Sequence, residues 1–174
     1  MPDFTPLPGK GFSIRLYTGN DRDSLLKHIN HPSIYEYTAR IPFPYTEKNA
    51  DVYITHCLQQ YEKTPYEFAI DVDGATVGGI GFQEITKHRA EIGYWLSPDY
   101  RERGIATDAV NLFTEYGFKH LNFIRLYAMV FKDNAASIRV LEKVGYQYEG
   151  LLRKHVLKDE KYLDVALYAK VQDV

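Results

Sequence analysis

The sequence predicts one domain of the mixed α/β class, residues 1–174, and three observations lead to that prediction. Segments with helical and strand-like spacing of apolar residues alternate along the chain, which is typical of a mixed sheet flanked by helices. A chain of this length can bury about 70% of its unfolded surface in one core without disulfides or metal. No internal repeat, low-complexity block or apolar run of membrane-spanning length interrupts the pattern.

The first half of the chain predicts two helices and three strands. Apolar residues at helical spacing follow Thr46, whose hydroxyl suits a helix N-cap. The dipeptide Asp73-Gly74 lies between two apolar runs and is a strong hairpin signal. His31-Pro32 is expected to end the earlier helix. The predicted elements are a strand at 12–17, helices at 21–30 and 46–61, and strands at 66–72 and 76–82.

The second half continues the alternation of strands and helices. Alanines and larger apolar residues mark one face of a helix that ends near His120, and Asn134 opens a shorter helix. Gly145 follows that shorter helix as a candidate C-cap. The predicted strands of this half span 89–96, 125–130, 146–152 and 162–169.

Composition and charge exclude several classes of function. The net charge of -2 is spread along the chain without a basic tail or stripe, so no nucleic-acid partner is expected. Cys57 is the single cysteine, and the chain opens without the basic and apolar regions of a secretory signal. We therefore expect a cytoplasmic protein with no disulfide framework and no membrane association.

The hexapeptide Arg101-Glu102-Arg103-Gly104-Ile105-Ala106 lies between a predicted strand and a predicted helix. The amide NH groups of a first helical turn are unpaired, and the helix dipole adds positive charge, so such a turn can bind a pyrophosphate. The Walker pattern is absent, and the run Gly78-Gly79-Ile80-Gly81 lacks the features of a dinucleotide fingerprint. The hexapeptide by itself fits an ordinary solvated turn equally well.

The order of motifs in the second half resembles the GNAT superfamily of acyl-CoA-dependent N-acetyltransferases. The stretches AEIGYWLSPDYRERGIA and RLYAMVFKDNAASIRVLEKVGY carry the resemblance, which extends from about Glu84 to Gly150. Within them, Arg101-x-x-Gly104-x-Ala106 matches the family's pyrophosphate signature. The EIGYWL strand and the N-x-x-S-x-x-x-x-E-K-x-G helix are similar to the branch of ribosomal-protein N-terminal acetyltransferases. The resemblance implies a splayed mixed sheet of six to seven strands, about four flanking helices, and acyl-CoA between the fourth and fifth strands.

The resemblance also implies acetyl-CoA as cosubstrate, no metal, and a set of cofactor-binding residues. Backbone NH groups at the helix start would bind the pyrophosphate, while arginine side chains attract it. The preceding strand would pair with the pantetheine arm through its backbone. A core role for the strand's aromatics remains an alternative, whereas the Asn is expected both to cap its helix and to touch the cofactor arm. The implied residues are Trp95, Leu96, Arg101, Arg103, Gly104, Ile105, Ala106, Thr107, Asn134 and Ser137.

Catalytic residues follow from the resemblance with one departure. Many family members have a tyrosine acid seven residues after the Asn, but this chain has Leu141 there. Ser137, one turn earlier on the same helix face, is implied as the hydrogen-bond donor to the departing thiolate. Its alternative is a hydroxyl bonded to its own helix.

A base must also remove a proton from the attacking amine. Glu91 on the strand at 89–96 is the first candidate and Glu84 the second, and a surface carboxylate is the alternative for each. Simple alternation puts Glu91 on the face of Trp95, although a bulge would reverse that. The six histidines form no plausible metal set: His28 and His31 are close in sequence, but Pro32 breaks their helix and no third ligand is evident.

The predicted function is direct transfer of an acetyl group from acetyl-CoA to a primary amine. Cys57 occupies a core-spaced helix position without an activating base, so no acyl-enzyme is expected. The branch resemblance implies a protein or peptide N-terminal amine, whereas polyamines, amino sugars and other small amines stay open. A silent CoA-binding module is the competing class. Residues 31–45 are expected to line the acceptor side, with an ordinary packed loop as the alternative. The family implies a possible homodimer.

Overall fold

The computed structural model describes residues 4–61 and 66–172. The first residues of the opening segment, for which the sequence predicts no secretory signal, lie outside this description. In the described part the strands are β1 (Leu7–Gly9), β2 (Phe12–Arg15), β3 (Glu67–Val72), β4 (Ala75–Gln83), β5 (Arg89–Leu96), β6 (Arg125–Phe131), β7 (Gln147–Lys158) and β8 (Lys161–Val171). The helices are α1 (Arg22–Ile29), α2 (Pro32–Glu36), α3 (Glu47–Gln60), α4 (Ile105–His120) and α5 (Ala135–Val144).

The strands form one mixed sheet in the order β1-β2-β3-β4-β5-β6-β8-β7. β5 and β6 pair in parallel, with Glu91 opposite Tyr127. The pairs β1 with β2, β2 with β3, β3 with β4, β6 with β8, and β7 with β8 are antiparallel. The predicted class, a mixed sheet flanked by helices, is confirmed.

Two short elements in the described part exceed the predicted numbers of strands and helices. β1 has three residues and contains a proline and a glycine, so it shows no alternating pattern. α2 begins with Pro32 at its first helical position, and His31 caps it by accepting a hydrogen bond from the Ser33 NH. The His31-Pro32 pair therefore ends one helix and also begins the next, because proline suits the first turn of a helix.

The described residues fall into two compact units, and the first lies within Met1–Gly81 and Tyr94–Ala109. One apolar cluster of this unit is built by α1, α2 and α3 with the segment between the last two, and Trp95 packs against it. A second cluster joins Tyr17, Cys57 and Tyr61 to Ala69 of β3. The buried members of the first cluster are Leu25, Ile29, Ile34, Tyr45, Ala50 and Ile54.

The second unit lies within Phe82–Gly93 and Val110–Val174. Phe82 and Phe113 stack with ring centroids 4.3 Å apart, and Phe123 meets Phe82 edge-on. Gly117 completes this packing, since a Cβ there would lie 2.8 Å from the Phe82 ring. A buried hydrogen bond of 2.8 Å joins the hydroxyls of Thr114 and Tyr146.

Most predicted boundaries agree with the structure to within two residues. β5 and the end of α4 lie where the sequence predicts them, while β7 and β8 are longer than predicted. The added residues of β7 are mostly exposed, and its pairing with β8 is irregular between Leu152 and Val156, so no clean alternation marks them. Among the described residues, none of the helices is long and apolar enough to cross a membrane.

Candidate active site

The turn that links β5 to α4 has the geometry of an anion-binding helix start. After β5, the short 3-10 turn Pro98–Tyr100 and residues 101–104 lead into the helix. The Gly104 carbonyl accepts the first helical hydrogen bond, from the Asp108 NH at 3.0 Å. In the first turn of a helix, an NH group has no helical carbonyl oxygen four residues earlier to which it can donate. The NH groups of Ile105, Ala106 and Thr107 are in this position. The resemblance assigns the pyrophosphate to the backbone NH groups of residues 103–106, with Thr107 nearby.

Gly104 is required by the backbone of this turn. Its φ of +82° lies in the left-handed region that favours glycine, and Glu102 in the same turn has a φ of +61°. A Cβ added at Gly104 would meet no atom within 4 Å, so the position is open on its outer side. A ligand could therefore approach this backbone closely.

Arg101 and Arg103 both bond to carbonyl oxygens of their own turn. The Nε of Arg101 donates to the Leu96 carbonyl at 3.3 Å. The Nη2 of Arg103 donates to the Asp99 carbonyl at 2.8 Å, and its guanidinium lies 5.0 Å from the centre of the Tyr100 ring. Both arginines thus help to hold the turn and place positive charge beside the start of α4.

His28 of α1 braces this turn, a role that the sequence alone did not indicate. Its Nδ1 lies 3.2 Å from the buried Ser97 hydroxyl, and its ring meets the Tyr100 ring edge-on at 5.5 Å. Burial lowers the pKa of His28, with Lys27 adding to the effect and Asp99 opposing it. The only indication in the sequence was that His28 follows Leu25 at helical spacing, which puts both residues on the buried face of α1.

Trp95 and Leu96 at the end of β5 face opposite sides. Leu96 is buried, and its Cδ1 lies 3.1 Å from where a Cβ of Gly78 would be. The Trp95 indole packs on the cluster of α1 to α3, and its Nε1 lies 2.4 Å from where a Cβ of Gly79 would be. The aromatic side chain therefore has a packing role, as the alternative reading held, and this leaves the assignment of its backbone to pantetheine as a prediction.

In the second unit, Asn134 caps α5 as the sequence predicts. Its side-chain oxygen accepts a hydrogen bond of 3.1 Å from the Ser137 NH. Ser137 is partly buried on the first turn of α5, and Leu141, one turn later, is fully buried. Gly145 ends the helix in the left-handed conformation with φ +91°, which confirms the predicted C-cap.

The two candidate bases differ in burial. Glu91 is a buried residue of β5, with 5% of its surface exposed, whereas Glu84 is exposed just after β4 and has a φ of +49°. Both glutamates influence the pKa of Tyr127 in β6. Burial is the largest cause that raises this pKa, and the negative charges of Glu91 and Glu84 raise it further. The guanidinium of Arg89 lies 5.6 Å from the centre of the Tyr127 ring. The structure thus brings both glutamates near one phenol.

Sequence reasoning missed a third carboxylate, Glu67 of β3. Its Oε2 accepts a hydrogen bond of 3.1 Å from the Tyr53 hydroxyl. Burial raises the pKa of Glu67 to about 7, although the Tyr53 hydrogen bond and the charge of Arg40 oppose the rise. A glutamate preceding an apolar strand carries no signal of its own in the sequence.

Neither metal chemistry nor a thiol nucleophile finds support in the described residues. Within residues 4–61 and 66–172, His, Cys, Asp and Glu side chains form no group of three that could hold a metal ion. Cys57 is fully buried, and burial raises the pKa of its thiol to about 12. A thiol of this kind is a poor nucleophile near neutral pH.

Comparison with known proteins identifies the class to which this fold and turn belong. Residues 12–147 match the family model described as an acetyltransferase (GNAT) domain. The spermidine N(1)-acetyltransferase of Escherichia coli (strain K12) is 32% identical over 135 residues, which are 76% of this chain and 71% of that protein. The chain therefore belongs to the GNAT family of acetyl-CoA-dependent N-acetyltransferases.

Solved structures agree on the fold. The ribosomal-protein-S5-alanine acetyltransferase from Vibrio fischeri superposes with a TM-score of 0.87 at 20% identity, covering 98% of each chain. RimL, a ribosomal L7/L12 alpha-N-protein acetyltransferase solved in complex with coenzyme A, superposes with a TM-score of 0.85 at 19% identity. That superposition covers 96% of this chain and 98% of the RimL chain. These likenesses establish the GNAT fold.

Proposed function

We propose that residues 1–174 act as one cytoplasmic catalytic domain that transfers acetyl from acetyl-CoA directly to a primary amine. The observation that carries the proposal is the turn before α4. There a left-handed Gly104 precedes a first helical turn, whose amides have no partner within the helix, in a member of the GNAT family. Such amides bind phosphate oxygens through the helix dipole and charge-assisted hydrogen bonds.

The turn and the preceding strand bind the cosubstrate in this proposal. Backbone NH groups of 103–106 take the pyrophosphate, with Thr107 beside them and the charges of Arg101 and Arg103 attracting it. The backbone of Trp95 and Leu96 pairs with the pantetheine arm as an added strand would. Asn134 contacts the same arm while it caps α5.

Ser137 and a glutamate carry the proton chemistry. The Ser137 hydroxyl donates a hydrogen bond to the sulfur as the C–S bond breaks, which stabilises the developing thiolate. A thiolate is a good leaving group, since a thiol has a pKa of about 8.5, so a hydrogen bond can replace a full acid. Glu91, directly or through water, receives the amine proton, and Glu84 is the alternative base.

Two acceptor classes have specific support. The EIGYWL strand and the helix motif at Asn134 favour a protein or peptide N-terminal amine. The 32% identical relative is a spermidine acetyltransferase, which favours a polyamine or another small amine. Both acceptors present a primary amine that is mostly protonated at neutral pH. Homodimerisation, which the family resemblance implies, remains a prediction.

A screen of acceptors with acetyl-CoA, read by release of CoA thiol, tests the proposal. The panel contains polyamines, amino sugars, amino acids and peptides whose N-terminal residues differ. We expect turnover above the rate of acetyl-CoA hydrolysis with at least one acceptor, and a product heavier by one acetyl group. CoA binding without transfer to any amine of the panel would instead identify a silent binding module.

A further inference from the structure

The Glu67 side chain lies across bare backbone of the neighbouring strand. Glu67 of β3 is paired with Gly81 of β4, and a Cβ at Gly81 would lie 2.4 Å from the Glu67 Oε2. No real Cβ tolerates that distance, so the carboxylate occupies its position only because residue 81 is glycine. Alanine at 81 would displace the carboxylate or the strand, since the Tyr66 carbonyl is also only 2.7 Å away.

The same face of β4 carries two further polar atoms one step along the strand. A Cβ at Gly79 would lie 2.4 Å from the Trp95 Nε1 and 2.8 Å from the Tyr17 hydroxyl. Gly79 and Gly81 are two residues apart, about 7 Å along a strand, and point to the same side. A carboxylate, an indole NH and a phenol therefore lie side by side over two glycines.

The Glu67 carboxylate and the Tyr17 hydroxyl have fewer hydrogen-bond partners than buried polar groups usually have. Among the described residues, the Tyr53 hydroxyl is the one side-chain donor to the Glu67 carboxylate, and the positive charge of Arg40 also acts on it. The Tyr17 hydroxyl is buried, with no hydrogen-bond partner in the described part of the chain. A partly buried carboxylate with one neutral hydrogen-bond donor, beside an unsatisfied hydroxyl, is costly unless a ligand supplies further charge and donors.

The neighbours of Trp95 connect this face to the segment expected to line the acceptor side. The cluster against which Trp95 packs includes Ile34 and Tyr45, and Ile41 lies against the same cluster. All three belong to residues 31–45. Arg40, which also belongs to residues 31–45, lowers the pKa of Glu67 through its positive charge.

We propose that Glu67, held over Gly81 and hydrogen-bonded by Tyr53, binds the ammonium group of the acceptor. The inference rests on the proposed function and deepens it by naming the residue that selects cationic primary amines. An ammonium group offers three NH donors and a positive charge, which suit a carboxylate that has one neutral donor. Glu67 is then an acceptor-binding residue, separate from the groups assigned to CoA.

The ionisation of Glu67 gives the inference a pH signature. Its pKa of about 7 means that the carboxylate gains its charge between roughly pH 6 and 8, so ammonium affinity should rise over that range. Burial raises the pKa values of the neighbouring phenols and thiol, which therefore stay neutral there, and Arg40 adds a fixed positive charge. The groups that face the carboxylate are Tyr17, Tyr53, Cys57, Tyr61 and Arg40.

The test measures amine binding and steady-state kinetics on the full chain. Trp95 is the only tryptophan, so its fluorescence reports on this face when spermidine or a tripeptide with a free N-terminus is titrated in the presence of CoA. In Glu67→Gln we expect the Kd and KM of the amine to rise by about 10- to 100-fold at pH 8. The KM of acetyl-CoA and kcat should change by less than about threefold. Glu115→Gln, an exposed residue of α4 paired with Lys119, is the matched control and should behave as wild type.

A second variant keeps the aromatic ring of residue 53 but removes its hydroxyl. Tyr53→Phe removes the hydrogen bond that stabilises the ionised carboxylate, so the pH at which amine affinity rises should shift upward, and Glu67→Gln should abolish that rise. An amine Kd in folded Glu67→Gln equal to that of wild type would overturn the inference, as would a loss confined to kcat. Wild type that binds amines through Glu67 but acetylates none would refute the proposed function alone. Wild type that neither binds nor acetylates any tested amine would refute both.

Discussion

Replacing Gly104 with valine tests whether the turn before α4 binds the pyrophosphate. A residue with a Cβ in the left-handed region at φ +82° costs about 1–2 kcal/mol, and a β-branched residue costs more. At about 2–4 °C per kcal/mol for a chain of this size, Tm should fall by roughly 3–8 °C. If the backbone relaxes and even one charge-assisted hydrogen bond to phosphate is lost, CoA binding loses about 1.5–3 kcal/mol of free energy. The Kd of CoA should then rise roughly 10- to 150-fold.

Gly74 provides the matched control for this substitution. It lies in the β3–β4 hairpin with a φ of +85°, and a Cβ there would also meet no atom within 4 Å. Gly74→Val therefore imposes the same backbone strain away from the turn, so Tm should fall similarly while CoA affinity stays unchanged. Isothermal titration calorimetry with CoA, after circular dichroism has shown both variants folded, compares them. Equal CoA affinities in Gly104→Val and wild type would refute the assignment of the turn.

Three further predictions concern the proton chemistry and the bracing of the turn. Ser137→Ala should lower kcat by roughly 10- to 1000-fold with little change in acetyl-CoA affinity, and wild-type turnover would leave Ser137 with a structural role only. Glu91→Gln should lose turnover most near neutral pH and recover partly at high pH, where more amine arrives deprotonated. A pH-dependent loss in Glu84→Gln instead would reassign the base. His28 has its pKa lowered in the folded state, so its contribution to stability is complete above the unfolded pKa of about 6.5 and is lost as pH falls through the folded pKa. Thermal unfolding of wild type should therefore lose more stability below pH 6.5 than that of His28→Gln, and parallel curves would contradict this reasoning.

Residues with a strong local role were readable from the sequence. Thr46 and Asn134 cap their helices as predicted, because a short polar side chain before an apolar periodic run satisfies the free NH groups of the first turn. Gly145 adopts the left-handed C-cap conformation for the reason that glycine is common there. The helix that follows the hexapeptide, and the mixed sheet, followed from the order of motifs that resembles the GNAT family.

Features that depend on tertiary contacts were not readable. The raised pKa of Glu67 comes from burial by elements distant in sequence, and its hydrogen-bond donor Tyr53 and close neighbour Gly81 belong to α3 and β4. His28 reaches Ser97 across 69 positions of the chain, and no local pattern marks such a pair. The sequence did not predict α2, because this helix is five residues long and begins at Pro32, which also ends the helical spacing of apolar residues in α1.

The hydrogen bonds inside the turn before α4 bear on the thermodynamics of cosubstrate binding. Arg101 and Arg103 hold carbonyl oxygens of the turn, and His28 braces it from α1, so contacts within the protein itself order this segment. The conformational entropy of this segment is therefore lost during folding, and binding does not have to order it again. Association should then show fast, single-step kinetics and only the small heat-capacity change of docking on a preformed surface. Coupled folding of the turn would instead give a large negative change.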